Sequence, residues 1–511
     1  MAVIVGRTPL APSGRGRLPY GRIVIVGIVA LPAALAPPTL AVAALGGLGV
    51  GALLLARPAV ALYLLVFAVP YETLANIHAG SFNVTVTEFI AFCGGAAFLT
   101  HGAIAGRFSL RWGWWRLPIL LFLAVTCLSV TQATDLALSL KEVLKLSELL
   151  LTYLLALSYI DSPARLRRLL LLVALAALSQ ALLGLMQTFA HFGPASFLRG
   201  GALRASGTFA QPNPFAGYLN LTLPLALAGM IVGVDIFGRL TKPLVVIVGA
   251  AVLVSQSKGA LLAIVVALAV MLIVYARPTR PLIGAAAAAV FAIFGGAVFG
   301  IVPSSVTNGA LSVVGLDNVD VANPTPATWA NAERLAHQLA GLHMFFDHPL
   351  LGVGIGNYPA AYAHYRVAPV WVNDLGHAHN YYINVAAEAG IVGLAAFLIM
   401  FIAAFVIVGR LYRRAADPTA RAIALGALGV LVTVAVHNNV DNIFVHAMEA
   451  QLALVVGIAT VACRMSLANS DPRADGDPAP AWQTTTGDPA WRTTTMGGRS
   501  DRPYAADVPS P

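Results

Sequence analysis

The sequence predicts an all-α fold: a polytopic transmembrane helical bundle of about 12–14 spans with a large extracytoplasmic loop that contains short helices. Two observations carry this. Of the 511 residues, 58% are hydrophobic and 10% charged, and the mean hydropathy is +0.80, outside the range of ordinary water-soluble domains. Long apolar runs such as LLLLVALAALSQALLGLMQTFA (169–190) and AAFLIMFIAAFVIVG (395–409) recur along the chain and approach or exceed the length that a hydrocarbon core demands of a helix. The alternating pattern of a β-barrel is absent, and a helix satisfies its own backbone in lipid.

Apolar segments fall near residues 23–38, 39–56, 59–77, 88–104, 117–133, 143–160, 169–190, 214–233, 243–255, 260–276, 281–302, 384–409, 422–440 and 447–463. Basic residues gather between them. Arg57, the RFSLRWGWWR loop (107–116), DSPARLRR (161–168), Arg239 with Lys242, RPTR (277–280) and RLYRR (410–414) all fall on one side of the membrane, which short cytoplasmic loops enriched in Lys and Arg identify as the inside. Both termini are then cytoplasmic, and residues 191–213 and 303–383 face outward. The net charge of +9 is dispersed over these loops rather than gathered on one domain, which argues against nucleic acid as a partner and for membrane lipids.

Four regions follow from this map. Residues 1–22, with Arg7, Arg15, Arg17 and Arg22, form a cytoplasmic N-terminal segment ahead of a retained first span, with no clear signal-peptidase site. Residues 23–190 are N-terminal transmembrane helices, and residues 191–465 hold the remaining spans and the extracytoplasmic loop 303–383. Residues 466–511, rich in Pro, Asp, Thr and Gly with the repeat PAWQTTT and PAWRTTT, read as a disordered cytoplasmic tail. Asp475 and Asp477 in that tail imitate a metal-binding D-x-D on the wrong side of the membrane. Cys93, Cys127 and Cys463 lie within or at the ends of apolar segments, at no metal-ligand spacing.

Against the inside rule, Arg199, Arg204, Lys258, Arg334 and Arg366 fall outside, where a cation has an anion to meet. Arg204 sits in LRASGTFAQPNPFAGYL (203–219), where Gly207, Pro212 and Pro214 impose a turn and Asn213 is placed to cap the next span. Lys258 occupies a tight hairpin, SQSKGALL (255–262). Arg334 begins a helix whose apolar positions Leu335, Leu339 and Leu342 share a face. In DLGHAHNYYINVAAEAGIVG (374–393), Asn380, Asn384 and Glu388 recur every four residues, one polar stripe running down from the outer surface. A carboxylate at the depth of Glu388 is costly, so it should face the bundle and have a partner. His377 and His379 stand at the mouth of the stripe, where a neutral imidazole can take a proton from a hydroxyl. Zinc ligation by these two lacks a third or fourth ligand at useful spacing. His437, Asp441 and His446, in HNNVDNIFVH (437–446), either line the same mouth or form a purely structural hairpin.

The ordered pieces RASGTFAQPNPFAGYL, SKG, ERLAHQLAGLHMFFDHPLLGVGIGNY and HAHNYYINVAAEAGIVG, spanning about residues 200–395, resemble the motifs of the O-antigen ligase and polymerase-like superfamily of bacterial envelope enzymes. The resemblance implies glycosyl transfer on the extracytoplasmic face of the inner membrane: a glycan passes from an undecaprenyl diphosphate carrier to the hydroxyl of a glycolipid, polysaccharide or protein, with no metal and no cofactor. It implies His379 as the base, Arg204 and Arg334 as diphosphate-binding catalytic residues and Lys258 as a further donor contact; the residues themselves add Asn380, Glu388, His377 and Asn213 as candidates for substrate binding. The chain reads Ser257-Lys258-Gly259 where relatives commonly carry arginine, which keeps the charge and loses the bidentate fork. Within the superfamily, a polysaccharide polymerase or a protein O-oligosaccharyltransferase is the alternative reading. In another class, the alternative is a solute carrier of the bicarbonate type, which would place broken helices near the bilayer midplane in two related halves.

Overall fold

The computed structural model describes residues 38–74, 76–79, 82–104, 113–276, 319–326 and 328–469. The expected spans near 23–38 and 281–302, the N-terminal segment, most of the 107–116 loop, residues 303–318 and the tail with Asp475 and Asp477 lie outside the described residues.

The helices in chain order are α1 (Pro38–Ala56), α2 (Val60–Tyr71), α3 (Val86–Ile104), α4 (Arg116–Ser129), α5 (Leu136–Tyr159), α6 (Pro163–Phe189), α7 (Pro212–Leu219), α8 (Leu223–Val232), α9 (Thr241–Val254), α10 (Lys258–Tyr275), α11 (Trp329–Asp347), α12 (Tyr358–Tyr365), α13 (Tyr381–Arg414), α14 (Pro418–His437) and α15 (Met448–Asn469). Two small antiparallel hairpins accompany them, β1 (Asn76–Ala79) with β2 (Phe82–Thr85) and β3 (Leu198–Arg199) with β4 (Ala202–Leu203). Among the described residues, 7 helical segments are long and apolar enough to cross a membrane, and the shorter apolar helices at 46–56, 60–74 and 116–132 add to them. The chain is a multi-pass membrane protein.

Local chemistry sets the helix starts. Asp417 accepts from the Ala420 amide ahead of Pro418, and Ser162 from the Arg165 amide ahead of Pro163. Asp135 caps α5 by accepting from the Ala137 and Leu138 amides, so this helix begins at Leu136 rather than near 143 as hydropathy suggests. Asn380 caps α13 through the Tyr382 and Ile383 amides.

Among the described residues, two spans are interrupted. Residues 212–232 divide into α7 and α8, and the Asn220 carbonyl freed there accepts from Thr433 while the Asn220 side chain donates to the Ala260 carbonyl. The second break is at Gly390 within α13, with φ 66° and ψ −167°. The segment 349–358 fills it: the Val353 amide donates to the Ala387 carbonyl, and the Ile391 amide to the Pro349 carbonyl. Ser129 donates to the Glu388 and Leu351 carbonyls and accepts from the Ile355 amide. Asn357, fully buried, ties the same segment to the start of α5 through Asp135 and Ser139.

The face that α11 buries is not the expected leucine face. Ala332, Ala336, Ala340 and Met344 are buried together with His337 and Gly341, whereas Leu335, Leu339 and Leu342 are only partly covered. Small residues let α11 approach α13 closely: a Cβ at Gly341 would stand 2.9 Å from Ile383 and 3.2 Å from Ala378. The leucines take the outer side.

A methyl group at Gly390 would lie 2.2 Å from the Leu350 carbonyl group, in a backbone conformation L-residues rarely adopt. Gly390→Ala is expected to lower stability by about 3 kcal/mol or more. Gly249→Ala, where a Cβ meets nothing within 4 Å, is expected to be neutral. Thermal unfolding of the two detergent-solubilised variants checks this, and equal melting temperatures would contradict it.

Candidate functional site

One end of the bundle gathers five loop segments: the β3–β4 hairpin with the start of α7, the 255–257 turn between α9 and α10, the first half of α11, the 374–380 approach to α13, and the 438–447 turn between α14 and α15. The far ends of α9, α13 and α14 carry the basic residues Lys242, Arg413 with Arg414, and Arg421.

His379 enters α13 from a left-handed backbone, φ 52°, a conformation that costs a non-glycine residue of the order of 1 kcal/mol and persists only where its surroundings hold it. They do so from both sides. Its carbonyl accepts from Gln338, its amide donates to Nδ1 of His377, and the next residues are tied down by the Asn380 bond to the Asn439 carbonyl and the Tyr381 amide bond to the Asn438 carbonyl. The imidazole Nδ1 lies 3.1 Å from Oδ1 of Asp441. Burial alone would push the Asp441 carboxyl up, but the His379 hydrogen bond and the neighbouring imidazoles hold it well below the usual carboxylate range. The carboxylate therefore accepts and Nδ1–H donates, which leaves Nε2 as the ring nitrogen turned to other partners.

The other carboxylate oxygen continues the chain of bonds. Asn213 donates to Oδ2 of Asp441 at 2.7 Å and accepts from Nη2 of Arg204 at 3.2 Å. Arg204 is fixed again by Nε donating to the Ser255 carbonyl at 2.8 Å. Burial, with the like charges of Arg199 and Arg334, pulls its guanidinium down to about 10, so it remains cationic at neutral pH. Arg334 and Lys258 have no carboxylate partner among the described residues; Arg334 is half-buried and Lys258 exposed. An apolar groove beside this end, between α8, α9 and α10, is lined by Leu223, Val246, Gly249, Leu253 and Leu261.

The structure thus brings His379, Asn213 and Arg204 into one hydrogen-bonded line, with Arg334 within electrostatic reach and Lys258 on the turn that anchors Arg204. Asn213 does not cap α7 as expected: the cap position is Gln211, and the Asn213 side chain is engaged by Arg204 and Asp441. Glu388 and Asn380 hold backbone. Glu388, buried, accepts from the Tyr358 amide at 3.0 Å and from Asn384 at 3.1 Å, so it ties the start of α12 to α13 beneath the site.

Sequence reasoning left Asp441 without a definite role and passed over His337. His337 stacks on Tyr362, 4.6 Å between centroids, and meets the His379 ring edge-on at 5.8 Å. Burial first, then the nearby His379, pushes its imidazole down to about 4. Burial likewise pushes His377 down to about 3. The ligand atoms of His377, His379 and Asp441 lie within 4.8 Å of one another, close enough to hold a metal ion. Nδ1 of His377 is engaged by the His379 amide, however, and Nδ1 of His379 by Asp441. His377 accepts at Nδ1 and, being neutral, carries its proton on Nε2, so it offers a metal no lone pair in this arrangement.

A helical membrane bundle with a carboxylate-oriented histidine and unneutralised cations at one end defines a candidate group-transfer site for an anionic substrate. Residues 243–398 match the family model described as O-antigen ligase, a similarity that supports an O-antigen ligase-like superfamily for this part of the chain. The matched region holds Lys258, Arg334, His377, His379, Asn380 and Glu388; Arg204, Asn213 and Asp441 lie outside it in sequence and join it in space. A search of curated proteins returned no match.

His337 and His377 each bind a proton less readily folded than unfolded. Their neutral packing is therefore fully retained above about pH 6.5 and is lost as pH falls toward about 4. The groups facing them are His379, Asp441, Tyr358 and Tyr362. The melting temperature in detergent is expected to drop across that window, and His337→Gln to flatten part of the drop; an unchanged slope in the variant would contradict the assignment.

Proposed function

We propose that the protein transfers a glycan from an undecaprenyl diphosphate carrier to an acceptor hydroxyl on the extracytoplasmic face of the bacterial inner membrane. The observation that carries the reading is the hydrogen-bonded line from Arg204 through Asn213 and Asp441 to His379, which couples a cation for the leaving group to a base for the nucleophile. The acceptor oxygen attacks the anomeric carbon and loses its proton to Nε2 of His379, while Asp441 stabilises the imidazolium that forms. The bond from the anomeric carbon to the diphosphate breaks, its electron pair stays on the phosphate oxygen, and Arg204, Arg334 and Lys258 stabilise that charge. His377 fixes the backbone of His379.

Sidedness follows from the basic residues at the opposite ends of α9, α13 and α14, which the inside rule assigns to the cytoplasm. The apolar groove between α8, α9 and α10 leads toward the turn that holds Arg204 and suits the carrier's polyprenyl chain. The same chemistry serves a polymerase or a protein-directed ligase, because the site constrains the donor and the base rather than the acceptor. A carrier of small solutes would share the broken helices, but both breaks among the described residues are bridged by the protein's own hydrogen bonds.

His379→Ala and Arg204→Ala are expected to insert normally and to lose transfer by at least about 100-fold in a lipid-linked glycan assay, and Asp441→Asn to lose about as much through the wrong tautomer. Arg204→Lys is expected to retain part of the activity. Wild-type rates for both alanine variants would refute the roles given to them.

A further inference from the structure

A groove beside the cation cluster takes no part in the transfer chemistry. It is lined by Arg199, Pro324, Pro326, Trp329 and Ala330. We propose that it is a carbohydrate subsite holding the glycan of the lipid-linked donor, an inference that rests on the glycosyl-transfer reading.

The groove is a built surface. Trp329, 42% exposed, opens α11 and leans on Trp371, which is buried; the ring centroids are 4.8 Å apart. Trp371 is itself locked by its indole N–H donating to the Val321 carbonyl at 2.8 Å. One indole is thus held rigidly with a face to solvent, between proline rings and a guanidinium. Arg199 is presented by the β3–β4 hairpin, whose turn glycines Gly200 and Gly201 have φ 56° and 80°, the two left-handed residues of a tight hairpin turn. A pyranose has the complementary faces: its axial C–H groups form an apolar patch for an aromatic ring, and its hydroxyls accept from a guanidinium.

Position favours the donor glycan. Trp329 precedes His337 by two helical turns, about 12 Å along the α11 axis, and His337 touches the His379 ring. The hairpin strand that follows Arg199 runs directly into Arg204, and the charges of Arg199 and Arg334 are both felt at Arg204. A chain of sugars attached to a diphosphate at Arg204 would extend along the β3–β4 hairpin toward the groove that Arg199 lines. An exposed tryptophan also serves as an anchor at the membrane interface, and that role predicts no preference for sugar.

The test uses the purified full chain in nanodiscs, with undecaprenyl diphosphate bearing the source organism's own envelope glycan and, separately, undecaprenyl diphosphate without sugar. Trp329→Ala is expected to weaken binding of the glycan-bearing lipid about tenfold and to leave the bare lipid unchanged, with Trp329→Phe restoring most of the loss. Donor KM is expected to rise by a similar factor while kcat and acceptor KM stay within about twofold. Unchanged affinity, equal weakening for both lipids, or a rise in acceptor KM alone would overturn the subsite. A wild-type protein that discriminates the two lipids through Trp329 but transfers nothing would keep the subsite and refute the transferase reading.

Discussion

The break in α13 at Gly390 is the constraint on which the site depends. A transmembrane helix cannot leave backbone groups unpaired in lipid, so an interruption there must be refilled by protein. The segment 349–358 does this, bonding to the Ala387 carbonyl and the Ile391 amide, and it fits only because Gly352 and Gly390 let two backbones meet: a Cβ on either would strike main-chain atoms at 2.3 or 2.2 Å. Glu388 then closes the arrangement by accepting from the Tyr358 amide. Once that segment is seated, α11 before it and α12 after it have little freedom. The small face of α11 is drawn onto Ala378 and Ile383, and His337 and Arg334 arrive at the mouth of α13. The Glu-x-Gly-x-x-Gly sequence is therefore architectural, and the chemistry sits one helical turn and more above it.

Asp441 is the joint between the two halves of the site. Its two oxygens face different elements, one toward His379 at the start of α13 and the other toward Asn213 in α7. Because Asn213 also accepts from Arg204, the position of the guanidinium and the orientation of the imidazole are not independent. On the proposed reading this matters mechanistically. The base must stand on the far side of the anomeric carbon from the leaving group, and a relay through one carboxylate fixes that separation more rigidly than two independently mobile side chains could.

Most of the fold is legible in the sequence. Each apolar segment expected within the described residues falls on helix, with 214–233 divided between α7 and α8, because spanning length and the need to satisfy the backbone leave little choice. The misreadings have physical causes. Hydropathy places the start of α5 near 143, but the charged first turn 136–142 is helical because Asp135 caps it. Leucines suggest the buried face of α11, whereas close helix approach selects alanine and glycine. In the candidate site, His379, Arg204 and Arg334 stand out because the charge map of the sequence sets them apart from the basic loops expected to be cytoplasmic. Asp441 does not, because it is 62 residues from His379 and 228 from Asn213, and nothing local to any of the three encodes that meeting. His337 is hidden for a different reason: inside an amphipathic helix, a histidine at a buried position looks like any other core residue until its neighbours are known.

The site also carries an electrostatic imbalance that its own residues do not resolve. Burial first, then the like charges of Arg199 and Arg334, makes the Arg204 guanidinium easier to deprotonate, and the carboxylate linked to Arg204 through Asn213, Asp441, is already committed to Asn213 and His379. A fold optimised only for stability would set a carboxylate among those arginines, since like charges gathered at low dielectric are unfavourable. Their separation from Asp441 by the neutral amide of Asn213 keeps the cations unneutralised and the carboxylate available to the histidine. A single Asp or Glu at position 213 would satisfy the arginines locally and compete with Asp441 for Arg204. The amide passes hydrogen bonds in both directions without cancelling either charge, which on the proposed reading is the property required of a residue standing between a base and an anion-binding cluster.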